Sequence, residues 1–249
     1  MILISNKRNI FSPAVIALAA VIFLPQSFAA ELKTYSAKYS ANFNGMEIEA
    51  NHRLEKLENG QYQETLNAKN IFGKINEQAL FSISDTLGLI PQEYKYERSL
   101  VGVKRSEQQV FDWQKQELRY TKKDKMTIVP LQPGAMDIIT HKLQLRRDLE
   151  SGKENFSYPV ISRGKLKQYD YKIIAKNVLE TAIGPLNTVL VQRIRKDRKR
   201  TTKIWLASDW DYLAVQLEQI ENGESHEMKI INGQVGNISV VPLKIATEK

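Results

Sequence analysis

The chain opens its first predicted element with strict alternation. In "KTYSAKYSANFNG", Tyr35, Ala37, Tyr39, Ala41 and Phe43 fall on one side, and Thr34, Ser36, Lys38, Ser40 and Asn42 on the other. That period of two marks a half-buried strand. Asn44-Gly45 tolerates the positive φ of a tight turn, and "MEIEANHRLEKL" continues as a second strand. Asn59-Gly60 repeats the signal ahead of "QYQETLNAKNI". More strands are predicted in "NEQALFSISD", "PQEYKYERSLVG", "KRSEQQVFDWQKQELRYTKK" and "KMTIVPL", with a turn over Asp112 to Lys115. Gly73, Gly88, Pro91 and Gly102 punctuate them.

One segment has a different period. "QPGAMDIITHKLQLRRDLESG" lies between Pro133-Gly134 and Ser151-Gly152, with Met136, Ile139 and Leu143 at helical spacing and Ile138, Leu145 and Leu149 widening the stripe. Asp137 at the start and Arg146 and Arg147 at the end suit the helix dipole. The spacing predicts a helix of about four turns over 135–150 whose broad apolar face lies against a sheet. Beyond it strands resume in "FSYPVISRG", "KLKQYDYKIIAKNVLETAIG", "PLNTVLVQRIRKD", "KRTTKIWLASDWDYLAVQLEQIENG" and "SHEMKIINGQVGNISVVPL". Strands without intervening helices argue for antiparallel pairing. The expected fold is mainly β: a single antiparallel, curved, incompletely closed β-barrel wrapped around one plug helix.

Composition changes the picture at the N-terminus. Lys7 and Arg8 precede an eleven-residue apolar run from Ala14 to Leu24, and "PQSFAA" places Ser27 and Ala29 at the −3 and −1 positions of a cut after Ala29. This has the form of a cleaved signal peptide, and the run is short of the roughly 20 residues that span a bilayer. The expectation is a periplasmic protein with residues 1–29 removed, no transmembrane anchor afterwards, and 30–249 forming one domain. There is no cysteine, so the core alone must stabilise the fold. The mature charge is 34 − 28 = +6, a modest excess that admits acidic envelope partners.

Candidate chemistry is sparse. His52, His141 and His226 lack zinc-type spacing. No nucleophile elbow, Walker loop or dinucleotide glycine pattern occurs. Asp137 and His141, four apart, read either as an acid–base pair or as a local helix contact. Neither an enzyme nor a cofactor is expected. "RIRKDRKR" concentrates Arg193, Arg195, Lys196, Arg198, Lys199 and Arg200 at a hairpin tip. It reads either as protection of edge strands or as a surface for anionic partners. Without interleaved aromatics it does not suggest nucleic acid. In "KIWLASDWDYLAVQLE", Trp205, Trp210 and Tyr212 are candidates for lining a ligand space between sheet and helix, although Trp205 suits a core position better and Trp210 suits either.

The stretches "YSAKYSANFNGMEIE", "PQEYKYER", "FDWQKQEL", "PGAMDIITHKLQLR", "AIGPLNTVLVQRIR" and "KIWLASDWDYLAVQLE" together resemble the DUF3108 family of exported bacterial proteins over most of the mature chain. Ile138 stands where a proline is common in that pattern, and Ala214 where a proline often follows the Tyr-Leu pair. The resemblance implies a distant likeness to the unclosed barrels of lipoprotein carriers and of periplasmic regulators that sense lipids or lipoproteins. It implies no catalytic residue. The combined expectation is a periplasmic binding protein for a lipid, acylated or other amphipathic ligand in envelope maintenance. The alternative is an interaction module that meets an envelope protein through its basic tip or strand edges.

Overall fold

The computed structural model describes residues 31–43, 46–195 and 200–243. The expected signal segment, the Asn44-Gly45 turn, and Lys196, Arg198 and Lys199 lie outside them. Eight strands come first: β1 (Tyr35–Phe43), β2 (Met46–Lys56), β3 (Tyr62–Asn70), β4 (Gly73–Ser84), β5 (Gly88–Leu100), β6 (Val103–Asp112), β7 (Glu117–Lys122) and β8 (Lys125–Pro130). The helix α1 (Thr140–Glu150) follows. Then come β9 (Phe156–Ser162), β10 (Lys165–Thr181), β11 (Gly184–Ile194), β12 (Arg200–Ala207), β13 (Leu213–Glu221), β14 (Glu224–Val235) and the short β15 (Ile238–Ser239).

All strands belong to one sheet in the order β8-β7-β6-β5-β4-β3-β2-β1-β14-β13-β12-β11-β10-β9, with β15 added to β14. Neighbours pair antiparallel, mostly as successive hairpins; β1 against β14 is the one long-range seam on this path. The ends of the path, β8 and β9, do not pair, so the barrel is unclosed. Side chains bridge the gap instead. Phe111, Leu118 and Tyr120 from β6 and β7 pack with Leu131, Ala135 and Ile161. Gly164, in the β9–β10 turn, lies against the Tyr120 ring so closely that any Cβ would collide with it. The outer edge of β9 is covered where Met136 N–H donates to the Pro159 carbonyl at 2.8 Å and its carbonyl accepts from Ile161 N–H at 2.8 Å. Covering an edge this way blocks further strand addition.

The plug helix is shorter than its sequence pattern predicts. Residues 135–139 are not helical, because Met136 is held in its bridge to β9 and Asp137 acts as a cap. The Asp137 carboxylate accepts from the N–H groups of Ile139 (2.7 Å) and Thr140 (2.9 Å) and from the Thr140 hydroxyl (3.0 Å). Donors that open a helix lack intrahelical acceptors, and a carboxylate just ahead of them satisfies two here. Ile139 and Leu143 enter a core with Tyr39, Leu54, Phe81 and Leu213, while Leu145 and Leu149 join Phe156, Tyr158, Val189 and Leu206. Polar contacts fix the rod on both flanks. Tyr158 donates to Asp148 at 2.9 Å. Arg146 lies 4.7 Å from the Tyr35 ring centroid and donates to the Asp211 carbonyl at 3.1 Å. Among the described residues no helix is long and apolar enough to cross a membrane.

Candidate functional site

The inward faces of the strands change character along their length. On β12 the inward series runs Leu206, Ile204, Thr202, Arg200; on β11 it runs Val189, Val191, Arg193. On β6 it runs Phe111, Gln109, Glu107, Arg105, and on β4 Phe81, Ala79, Glu77. Each apolar end packs near the helix or the bridged gap, and each polar end faces a cavity of about 460 Å³. Ile138, His141 and Lys142 form its floor where the helix begins, with Leu66, Leu217 and Met228 as apolar wall. Arg105, Arg163, Arg193, Arg195 and Arg200 surround the side nearest the hairpin tips. With Lys142 that makes six cations in the lining, against the two carboxylates Glu77 and Glu107.

The wall is aromatic as well as cationic. The Arg193 guanidinium stacks 3.1 Å from the centroid of the Tyr169 ring, a pairing that holds a cation flat against a π face. Tyr94, Tyr96 and Tyr171 line the same space. Gln109 is 1% exposed, and its Oε1 has no hydrogen-bond partner among the described residues. An unsatisfied acceptor at that depth is costly unless something in the cavity donates to it.

Burial holds two histidines, His141 and His52, neutral. His141 Nδ1 lies 3.1 Å from the Asp137 carbonyl, which can only accept, so Nδ1 carries the proton and Nε2 accepts from the Tyr171 hydroxyl at 2.9 Å. Burial lowers its pKa to about 3. The Asp137–His141 pair is therefore a local helix contact through the backbone, the carboxylate being engaged as the cap. His52 reaches the same cavity from β2, and burial takes its pKa to about 3 too. Beneath it Glu64 accepts from the Tyr35 hydroxyl at 2.8 Å, and burial raises its carboxyl to about 7. Among the described residues no three His, Cys, Asp or Glu side chains gather at metal-binding distance.

The sequence-predicted candidates divide. Arg193, Arg195 and Arg200 reach the cavity lining, and Arg200 also pairs with Glu221. Trp205, Trp210 and Tyr212 do not line it. Trp205 lies on the opposite face from Ile204, in register with Leu190 and Gln216, and packs half-buried against the core cluster. Trp210 and Tyr212 belong to a tight turn: Leu213 N–H donates to the Trp210 carbonyl at 2.9 Å, with Asp211 at φ 49 and Tyr212 at φ 53. That turn supplies the carbonyl holding Arg146, so its visible role is to seat the plug. Sequence reasoning missed Arg105, Glu107, Gln109, Tyr94, Tyr96 and Arg163. Continuing the inward face of Phe111 backwards by twos would have found the first three.

A family model for DUF3108, described as a protein of unknown function, matches residues 35–230. No curated protein matches the sequence. Among solved structures, a β-barrel-like protein of the domain of unknown function DUF1849 from Brucella abortus is similar in fold. It has 9% identity and a TM-score of 0.58, over 83% of this chain and 99% of that one. MucB in its complex with MucA from Pseudomonas aeruginosa gives 10% identity and a TM-score of 0.38, over 85% of this chain and 54% of that one. A second MucB structure gives 9% and 0.35, with coverage of 85% and 55%, so the match spans about half of MucB. At such identities a likeness speaks only of fold. The family match is of another kind, since it runs from the first strand into the fourteenth: the chain belongs to the DUF3108 family.

Proposed function

We propose that this is an exported, non-enzymatic binding protein of the periplasm, and that its unclosed barrel holds an amphipathic ligand, a lipid or acylated molecule with an anionic head. One observation carries the reading: a cavity of about 460 Å³ above the plug helix with an arginine-rich rim, a tyrosine-lined interior and an apolar patch of Leu66, Ile204, Leu217 and Met228. The volume lies within the ~300–1,000 Å³ typical of small-molecule sites. Guanidinium groups suit a phosphate or carboxylate through charge-assisted hydrogen bonds, while Leu66, Ile204, Leu217 and Met228 offer apolar area to a chain. Burial of such a chain contributes about 0.8 kcal/mol per methylene. Two buried histidines kept neutral by burial, one of them committed to the Asp137 carbonyl and the Tyr171 hydroxyl, favour holding over chemistry. The signal-like N-terminus supports the compartment.

Isothermal titration with dodecyl phosphate and with dodecyl maltoside, both below micelle formation, tests this. Dodecyl phosphate should bind, and Arg105→Ala or Arg163→Ala should each weaken it about tenfold, equivalent to ~1.4 kcal/mol. Equal binding of both amphiphiles would remove the anionic head from the proposal, and no binding of either would remove the ligand. The second reading, an interaction module, draws support from β8. It pairs only with β7 among the described strands and leaves Met126 and Ile128 exposed, an edge open to strand addition. A partner crosslink abolished by Ile128→Pro, with amphiphile binding absent, would favour that reading.

A further inference from the structure

The hairpin turns at the cavity's arginine-rich end include two that are apolar where turns are usually polar. Ile71 and Phe72 make the β3–β4 turn, Val101 and Gly102 make the β5–β6 turn, and Val103 opens β6 beside it. Gly73 faces Leu100 in register, and Val101 N–H donates to the Phe72 carbonyl at 3.0 Å, so the two tips are locked side by side. Ile71 is 91% exposed, Val101 75%, Val103 63% and Phe72 47%. Residues 69–74 and 98–105, which flank these tips, hold five cations and no acid. The next turn, β7–β8, adds Lys122, Lys123 and Lys125 around Asp124.

The backbone gives a second, independent sign. Val101 has φ 45 and Gly102 φ 78, so both central positions of the turn are left-handed. A β-branched residue is among the worst choices for that conformation. The molecule builds another left-handed pair at Asn222-Gly223, with φ 53 and 87, using the residue such turns prefer. A strained backbone that presents an aliphatic side chain to water points to a use for that side chain.

We propose that this apex is a docking surface for an anionic lipid bilayer, its four aliphatic and aromatic side chains entering the headgroup region while the surrounding lysines and arginines meet the lipid charge. A protruding apolar tip inside a ring of cations has the chemistry of an interfacial anchor. A partner protein would need an acidic groove shaped to two adjoining turns, whereas a bilayer deforms around them. Arg105 belongs both to the apex flank and to the cavity lining, so docking would bring the cavity to the membrane. The docking itself does not depend on any cavity ligand.

Flotation of the full chain with vesicles tests it. Vesicles with roughly one phosphatidylglycerol in three lipids should bind at least ~10-fold more protein than pure phosphatidylcholine at low salt, and Ile71→Asp with Val101→Asp should remove that difference. Val101→Asn should raise the melting midpoint by roughly a few degrees while weakening vesicle binding, a combination that misfolding does not produce. The chain has no cysteine, so Ile71→Cys can carry one polarity-sensitive fluorophore, whose emission should shift to the blue on anionic vesicles. Binding that ignores lipid charge, survives the double substitution or leaves the fluorophore unshifted would overturn the proposal. So would a chain that ignores both vesicles, in which case the apex contacts protein. Titration with dodecyl phosphate reports separately on the cavity, so the two readings fail independently.

Discussion

The two ends of the barrel obey the same alternation and reach opposite results. At the helix end the inward residues are Tyr39, Leu54, Phe81 and Leu213, closed over by Ile139 and Leu143. At the tip end the same faces present Glu77, Glu107, Arg105 and Arg200 to a cavity. One end spends its interior on burial and the other leaves its interior available. Stability and binding are therefore spatially separable in this molecule, and substitutions should sort by end.

The largest effects belong to the plugged end. Phe81, 0% exposed, and Leu143 are packed on all sides, so either one changed to Ala should lower unfolding free energy by about 3–4 kcal/mol in urea titration. Dodecyl phosphate affinity of the folded fraction should be unchanged. If instead it falls in step with stability, the two ends are not separable.

A smaller effect of mixed sign comes from the ionisable groups between the ends. His52 and His141 have folded pKa values lowered to about 3, so the unfolded chain takes up protons first and stability is lost as pH falls below 6.5. Glu64 is raised to about 7, so its contribution runs the other way, with stability lost as pH rises from 4.5 towards 7. Each group contributes up to roughly 2 kcal/mol between pH 7 and 5. Burial also raises the carboxyls of Glu77 and Asp137, which act in the same sense as Glu64. Relative to the parent chain, His52→Gln should lose less of its melting midpoint on acidification and Glu64→Gln should lose more; identical profiles would show that neither group is buried as described.

Next comes the cap. Asp137→Ala strips partners from the first donors of α1 and should cost about 1–2 kcal/mol, with Asp137→Asn recovering part of it. The smallest effect on stability should come from the open end. Arg105 is exposed, so Arg105→Ala should leave unfolding free energy within ~0.5 kcal/mol while weakening dodecyl phosphate.

Strand positions were legible in the sequence because alternation and turn chemistry are local. "KTYSAKYSANF" and Asn59-Gly60 report on their own neighbourhoods, and β1 and the 57–61 turn follow them. The existence of the helix was legible for the same reason, but its start was not. Met136 and Ile138 carry helical spacing, yet the bridge from Met136 to Val160, a contact distant in sequence, keeps the start of 135–139 out of the helix. The cavity was harder to read. Polar residues in alternation look like a wet outer face, and only the pairing of all strands reveals that Glu107 and Gln109 point inward. Conversely, the bulk of Trp205 and Trp210 says nothing about which side of a sheet a residue occupies, and neither lines the cavity. Of the six cations in "RIRKDRKR", Arg193, Arg195 and Arg200 reach the cavity, a position that charge at a hairpin tip does not by itself reveal.

The seam between β1 and β14 has a kinetic implication. Nearly every other pairing in the sheet joins chain neighbours, which find each other within microseconds as hairpins form. The seam joins Tyr35 to Val235 and Asn42 to Glu227, and so must wait until almost the whole polypeptide has been made and both hairpin series have organised. Until then two half-sheets exist, each with a bare margin. A molecule stalled at that stage is the form most exposed to misassembly, and mutations along the seam should slow maturation more than they loosen the finished protein.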